Sequence, residues 1–482
     1  MQMKYPAVAS LTVVLWFGAP SSAQTPDLQQ LKTKLQQLDQ MMQELKQQIA
    51  TAEARQNTPV APVPVKTSPA SKLPPPELPT TYIGELTRTR EVANQDPEGA
   101  ARLDAEDTDP SLRGFFRLPG TATLIKFGGF VKTDLFIDAN QAGTYYGGYV
   151  PSSFPSSPQP HTVNATVSMR PSRFSAEFRQ PIEGNETGDT VKAYLEYDFL
   201  GNYERTSLRL RQFYAEYKRI LVGQTWTAFG DPDVFPDTLE FEGPPGIIGL
   251  RQPMIRYTQP INDSNRIGIS VEKSGTDTPF STQFGTPVGS SLWPDLVAFY
   301  RLEKKNGHLH FAFVSRSVGG VIPNTLVPDL RNHVNGFGGS LSGAWGTSKN
   351  NVVFQLVFGK GISNYYNDNF GLGTDVGFDS KGKLVATPTG SGEFGYQHYW
   401  TKKLRSTLSY AYTQINSPAG DPGFTYHVSN YATANLIVQP TVRFLFGGEY
   451  IYGSLVRKDG FKWVAPRIQG SVTYYINKYP KE

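Results

Sequence analysis

From Ile125 to Ile476 the sequence runs as short segments that alternate apolar and polar residues, each closed by a turn cluster. Alternation sends every second side chain to one face of a strand, so each segment carries one apolar face and one wet face. About sixteen such segments follow one another, near residues 125, 166, 191, 208, 220, 252, 266, 295, 307, 335, 351, 393, 404, 430, 442 and 466. Helical periodicity is almost absent between them. An even number of amphipathic strands predicts an all-β fold, a closed antiparallel barrel. The pattern alone leaves its polarity open: a soluble sandwich turns the apolar faces inward, whereas a transmembrane barrel turns them to lipid and lines a lumen with charge.

The first strand, LIKFGGFVKTDLFID, sets Ile125, Phe127, Val131, Leu135 and Ile137 against Lys126, Lys132, Asp134 and Asp138, with Phe130 and Phe136 as exceptions among the polar set. RFSAEFR and VKAYLEYDF repeat the dyad, as do the segments around Phe444 and Ile468. One strand breaks it. In LRLRQFYAEYK, Leu208, Leu210 and Tyr214 share a face with Gln212 and Glu216, which calls either for a β-bulge or for a face set against another subunit.

The N-terminal segments decide the polarity. Lys4 precedes the apolar stretch Leu11 to Phe17, and Ser21-Ser22-Ala23 supplies the small residues of a cleavage site, so residues 1–23 read as a secretory signal too short to span a membrane. No later segment is long and apolar enough for a membrane helix, and mean hydropathy is below zero, as expected of barrels. The chain has no cysteine, which leaves no disulfide framework or thiolate metal site for an exported protein. Its formal charge of +4 falls by one unit with Lys4, too little to argue for a nucleic-acid partner. Twenty-five Tyr and 29 Phe suit the aromatic girdles of an outer-membrane barrel.

Residues 24–56 form the next unit. Leu28, Leu31, Leu35, Leu38, Met42, Leu45, Ile49 and Ala52 are spaced alternately three and four apart, an unbroken heptad seam behind a plausible cap at Asp27. The seam extends about 37 Å as helix and is narrow enough to favour self-association, the alternative being a lone helix lying on its own barrel. Residues 57–114 read as a linker, first Pro-rich to Pro79, then acidic and without an assigned fold. The barrel takes residues 115–482.

The run LRLRQFYAEYKRILVGQTWTAF, followed by PDTLEFEGPPG and RQPMIRYTQP, resembles the DcaP-like family of outer-membrane porins, and FGGFVKTDLFID and RPSRFSAEFRQP resemble that family's first two strands. The arm, spacer and barrel match its layout. The resemblance implies a homotrimer of 16-stranded barrels in outer-membrane lipid, taking up small anionic solutes, dicarboxylates among them. The chain departs at its C-terminal end, where Asn477 to Glu482 stands in place of the usual terminal aromatic residue.

A porin performs no bond chemistry and selects by width and by the charge that lines its constriction. On the strand faces assigned to the lumen, basic residues outnumber acidic ones. Lys132, Arg173, Arg209, Arg211, Arg256 and Arg443 form the expected anion-attracting wall, with Arg209 and Arg211 about 7 Å apart on one strand and suited to the two carboxylates of a diacid. Asp231, Asp233, Asp237, Glu240 and Glu242 occupy a Pro- and Gly-rich segment from Gly230 to Gly249. It reads either as a constriction loop opposing the basic wall or as an exposed surface loop. It lacks the Asp-x-Asp-x-Asp-Gly pattern of a calcium loop. His308 and His310 share a strand face, yet no third ligand stands at a recognisable spacing, so a wet lumen position is expected. No cofactor, metal or enzymatic activity is expected. The alternatives are a structural or adhesive barrel and, further off, a lipid hydrolase whose Ser/His pair assembles only in space.

Overall fold

The computed structural model describes residues 114–476 apart from 144–147, 156, 183–189, 202–205, 279–287 and 323–329. The signal segment, the heptad arm, most of the linker and the C-terminal hexapeptide lie outside the described residues. Sixteen strands of seven residues or more form one closed antiparallel sheet. In chain order they are β1 (Leu124–Asp138), β2 (Arg173–Pro181), β3 (Thr190–Asp198), β4 (Arg209–Tyr217), β5 (Ile220–Trp226), β6 (Arg251–Asn262), β7 (Asn265–Glu272) and β8 (Asp295–Lys304). They continue as β9 (Gly307–Ile322), β10 (Leu330–Gly346), β11 (Asn350–Lys360), β12 (Pro388–Tyr399), β13 (Leu404–Ile415), β14 (Tyr426–Thr441), β15 (Phe444–Arg457) and β16 (Arg467–Ile476). Each pairs with the next, and β1 pairs with β16 from Gly129 opposite Ile476 to Asp138 opposite Arg467, which closes the ring and leaves no edge.

Exposure settles the polarity that alternation leaves open. The outer band shows Phe358 at 66%, Ile269 at 62% and Ile468 at 61% of full exposure, whereas Arg467 and Arg316 inside stand at 1%. A soluble fold would have the reverse. This is the arrangement of a membrane-spanning barrel. Phe130 and Phe136, the exceptions to the dyad, also point inward, where the Arg173 guanidinium sits 5.1 Å from the Phe130 ring and that of Arg467 sits 4.1 Å from Phe136. They are stacking platforms for lumen arginines.

The irregular strand is resolved by a bulge. Glu196 of β3 faces Gln212 while the next residue, Tyr197, faces Leu210, so Arg211 is the extra residue. Beyond it Phe213 turns outward and Gln212 and Tyr214 turn inward, which restores the dyad. A second irregularity lies beside β1. Its upper half pairs with the short strand Asn164–Ser168 and its lower half with β2, and across the gap the Ser172 hydroxyl accepts from Lys132 N at 3.0 Å and donates to Lys132 O at 3.1 Å. Gly129 makes the bend, at φ +114°, where a Cβ would stand 2.2 Å from Arg173 O.

Connections at one end are tight, such as Lys218-Arg219 and Val442-Arg443, and those at the other are long. Barrels of this kind set the short turns to the periplasm and the long loops outward. Two long loops fold back inside. Residues 227–250 and 361–387 join the inner wall through apolar clusters, notably Phe229, Ile248, Val314, Val357, Ile362 and Tyr365. The interior is therefore a packed seam between loops and wall, flanked by water-accessible space.

Candidate functional site: a lumen crossed by a clamped loop

The loop between β5 and β6 cannot extend the sheet, because Pro232, Pro236, Pro244 and Pro245 lack a backbone donor. It starts with a 3-10 turn, Pro232–Val234, whose Asp231 cap accepts from Asp233 N at 3.2 Å. It then runs across the lumen and is fixed at each stage by the wall. Arg301 of β8 donates to Asp231 at 3.0 Å and to Asp233 at 2.6 Å, and His308 and Ser342 also bond Asp231, at 2.7 and 3.0 Å. Asp237 receives Arg405 at 2.6 Å and Gln397 at 2.8 Å. Glu449 of β15 accepts the backbone N–H groups of Leu239 and Glu240 at 2.8 and 2.9 Å, while Lys132 and Gln469 donate to Leu239 O at 2.9 and 3.0 Å. Glu240 instead collects backbone donors from Tyr149, Glu242 and Gly243. Glu242 is only partly buried and borders the outer cavity.

A second inward loop holds the returning limb. Asn367 N donates to Ile247 O at 2.8 Å, Gly249 N to Tyr365 O at 3.3 Å, and Gly246 N to the Asp368 carboxylate at 3.3 Å. The acidic segment thus lies within the barrel. Its carboxylates Asp231, Asp233 and Asp237 are buried anchors for wall cations.

Opposite, on β2 to β6, cations exceed acids. Asp198 takes a two-point contact from Arg209 at 2.9 and 2.7 Å and a third bond from Arg211 at 3.1 Å. Glu196 takes Arg211 at 2.6 Å and stands 3.7 Å from Arg173. Arg209 and Arg211 are therefore engaged by the protein's own carboxylates, a correction to their reading as a free pair for a diacid. Rings separate these guanidiniums: Phe241 from the loop lies 5.3 Å from both Arg173 and Arg211, and Trp226 lies 6.0 Å from Arg211 and 4.5 Å from Arg251.

Lys132 is buried in an ion pair with Asp134, Arg256 is half-buried on β6, and Arg443 sits in the turn between β14 and β15. Arg443 is thus at the rim and off the wall, because strand parity does not extend through a turn. His308 and His310 are buried, which corrects the expected wet position. Asp231, Asp233 and His308 bring donor atoms within 4.8 Å of one another. Arg301 already bridges both carboxylates, so the cluster suits a guanidinium better than a metal ion. Two cavities flank the Trp226–Arg251 pair. One of about 660 Å³ on the long-loop side is lined by Arg170, Arg209, Arg251 and Lys273 together with Glu242, Asp277 and Asp368. The other, about 120 Å³ toward the short turns, is lined by Glu216, Arg219, Arg256, Arg266 and Arg301.

Residues 117–468 match the profile described as DcaP outer membrane protein. The chain belongs to the DcaP outer membrane protein family. The crystal structure of the outer membrane channel DcaP of Acinetobacter baumannii superposes with a TM-score of 0.65 at 20% identity, covering 76% of this chain and 100% of that one. Salmonella typhi OmpF gives 0.47 at 10% identity over 75% of this chain and 100% of its own. An anion-selective porin from Comamonas acidovorans gives 0.46 at 9% over 73% and 100%. At such overlap the latter two do not bear on solute preference. No curated protein matches the chain. A DcaP-family barrel is an outer-membrane protein, and in this member two inward loops partition the lumen.

Proposed function

We propose that this outer-membrane channel admits small solutes with a preference for anions, dicarboxylates among them, and performs no bond chemistry. The observation that carries the reading is the imbalance on the β2 to β6 wall, where Arg173, Arg209, Arg211 and Arg251 stand around only Glu196 and Asp198. Lys132 and Arg256 extend the basic field, and Arg443 contributes at the rim. In a lumen of reduced dielectric each uncompensated cation favours a passing carboxylate by roughly 1 kcal/mol. The clamped loop narrows the path so that solutes pass this wall. The test is the reversal potential of the purified protein across a planar bilayer in a salt gradient. Anion preference is expected, and cation preference rejects the reading. A hydrolase reading finds a Ser/His pair, with Ser290 Oγ 2.9 Å from His333 Nε2, but among the described residues no third group orients the ring as such catalysis requires.

The proposal extends to export and assembly: residues 1–23 are removed, 57–114 form the periplasmic linker, and 24–56 join three copies through Leu28, Leu31, Leu35, Leu38, Met42, Leu45 and Ile49. A barrel satisfies its own backbone groups and needs no arm to fold. Deleting residues 28–52 is expected to leave heat-modifiable gel mobility intact and to yield monomers by light scattering in detergent. Identical oligomers with and without the arm reject its assembly role.

A further inference from the structure

We propose that Arg251, stacked on Trp226, is the residue that binds the carboxylate of a passing solute. The inference rests on the anion-channel reading above and assigns its contact point. Sequence parity hides this residue. On β6 the inward positions are Gln252 and Met254, so parity sends Arg251 toward lipid. At the strand's first residue, however, the chain has just left the inward loop, and Arg251 and its register partner Trp226 both turn in.

Three observations converge there. The pair stands between the two cavities, with Arg251 lining the larger and Trp226 the smaller. Arg209 and Arg211 are paired with carboxylates, whereas the Arg251 side chain makes no ion pair or hydrogen bond among the described residues and keeps part of its surface open. Its guanidinium lies 4.5 Å from the indole centroid, at the end of the series Arg173, Phe241, Arg211, Trp226. Stacking occupies the face of the guanidinium and leaves its N–H edge for a carboxylate in two-point contact. Lys273 in the larger cavity and Arg256 in the smaller also have no ion-pair partner among the described residues. They supply cations on either side of Arg251, so a dicarboxylate can hold one neighbour while it engages or leaves the central site.

The test uses the full chain in planar bilayers, with succinate as the probe added to potassium chloride. The readout is the succinate concentration that halves the chloride current, set beside the rate of uptake of a neutral pentose in swelling assays. Loss of a charge-assisted two-point contact in R251Q is expected to raise that concentration about tenfold, with pentose uptake unchanged. R251K keeps the charge, loses the planar fork and is expected to fall between R251Q and the wild type. It carries the test if R251Q does not assemble. An unchanged half-blocking concentration in the assembling variant overturns the proposal, and so does a parallel loss of pentose uptake, which marks a collapsed passage. A wild-type channel that prefers cations rejects the anion reading itself, while an anion-preferring channel insensitive at position 251 rejects only this assignment.

Discussion

On the side of the lumen formed by β8 to β14, guanidiniums hold loops; on the side formed by β2 to β6, Arg209 and Arg251 border the larger cavity, with Arg173 and Arg211 buried beside them. Arg301 is saturated by Asp231, Asp233 and Glu303, Arg316 by Asp295 and Asp375, and Arg405 by Asp237. Most of those carboxylates arrive from the inward loops. Across the lumen the acids Glu196 and Asp198 come from the wall itself and are outnumbered by four arginines, two of them on the bulged strand. The same residue type therefore serves structure where a distant segment brings a matching charge, and sets a field where none arrives.

The hardest way to break this contrast is at Arg301. R301Q takes the shared guanidinium from the buried carboxylates of Asp231 and Asp233, leaving Asp231 to His308 and Ser342, and removing one partner of a buried pair costs about 3–5 kcal/mol. The expected outcome is a detached first limb, with higher and noisier single-channel conductance, faster pentose uptake and little change in ion preference. Unchanged conductance would mean that the apolar seam alone holds the loop. R209Q/R211Q is the opposite experiment. It takes from Glu196 and Asp198 two of the guanidiniums that hold them, so that Arg173 and Arg251 alone face these two acids and the wall's excess of cations is lost, while the loop clamps remain. The reversal potential is expected to move toward cations with pentose uptake constant. If this double variant instead behaved like R301Q, the two walls would not differ in role.

The barrel is legible in the sequence because it follows from a local period of two: fifteen of the sixteen expected positions fall at barrel strands and the inward face of the first strand is right, while the position near 166 marks the short strand Asn164–Ser168 in place of the barrel strand Arg173–Pro181. What crosses the lumen is not local. Arg405 finds Asp237 at a separation of 168 residues, and nothing in the loop's composition distinguishes a carboxylate that will meet that partner from one left in water. Parity fails in three identifiable ways: at the Arg211 bulge, in the turn holding Arg443, and at the strand end where Arg251 turns in. Phe130 and Phe136 broke the dyad for a reason the sequence also contained, an arginine to stack on, but only strand pairing shows which arginine.

The smallest expected effect comes from pH and tests whether the basic wall acts as a field. In the outer cavity, burial, reinforced by neighbouring Asp375, pushes the Asp277 carboxyl up to about 6, and burial pushes Asp368 up to about 7. Both are largely neutral at pH 5 and ionised at pH 8, so raising the pH adds two negative charges to a space shared with Arg170, Arg209, Arg251, Lys273 and Glu242. Anion preference is therefore expected to decline as pH rises through 6 to 7. The change should be smaller than that of R209Q/R211Q, because it leaves every cation of the wall in place, and it should fade at high salt as the Debye length shortens below about 10 Å. D277N/D368N is expected to flatten the profile between pH 5 and 8 while keeping the acidic-side preference. A profile that keeps its slope in that variant would place the titrating charge elsewhere, and a wild-type profile that rises with pH would show that the vestibule's field does not reach the passing ion.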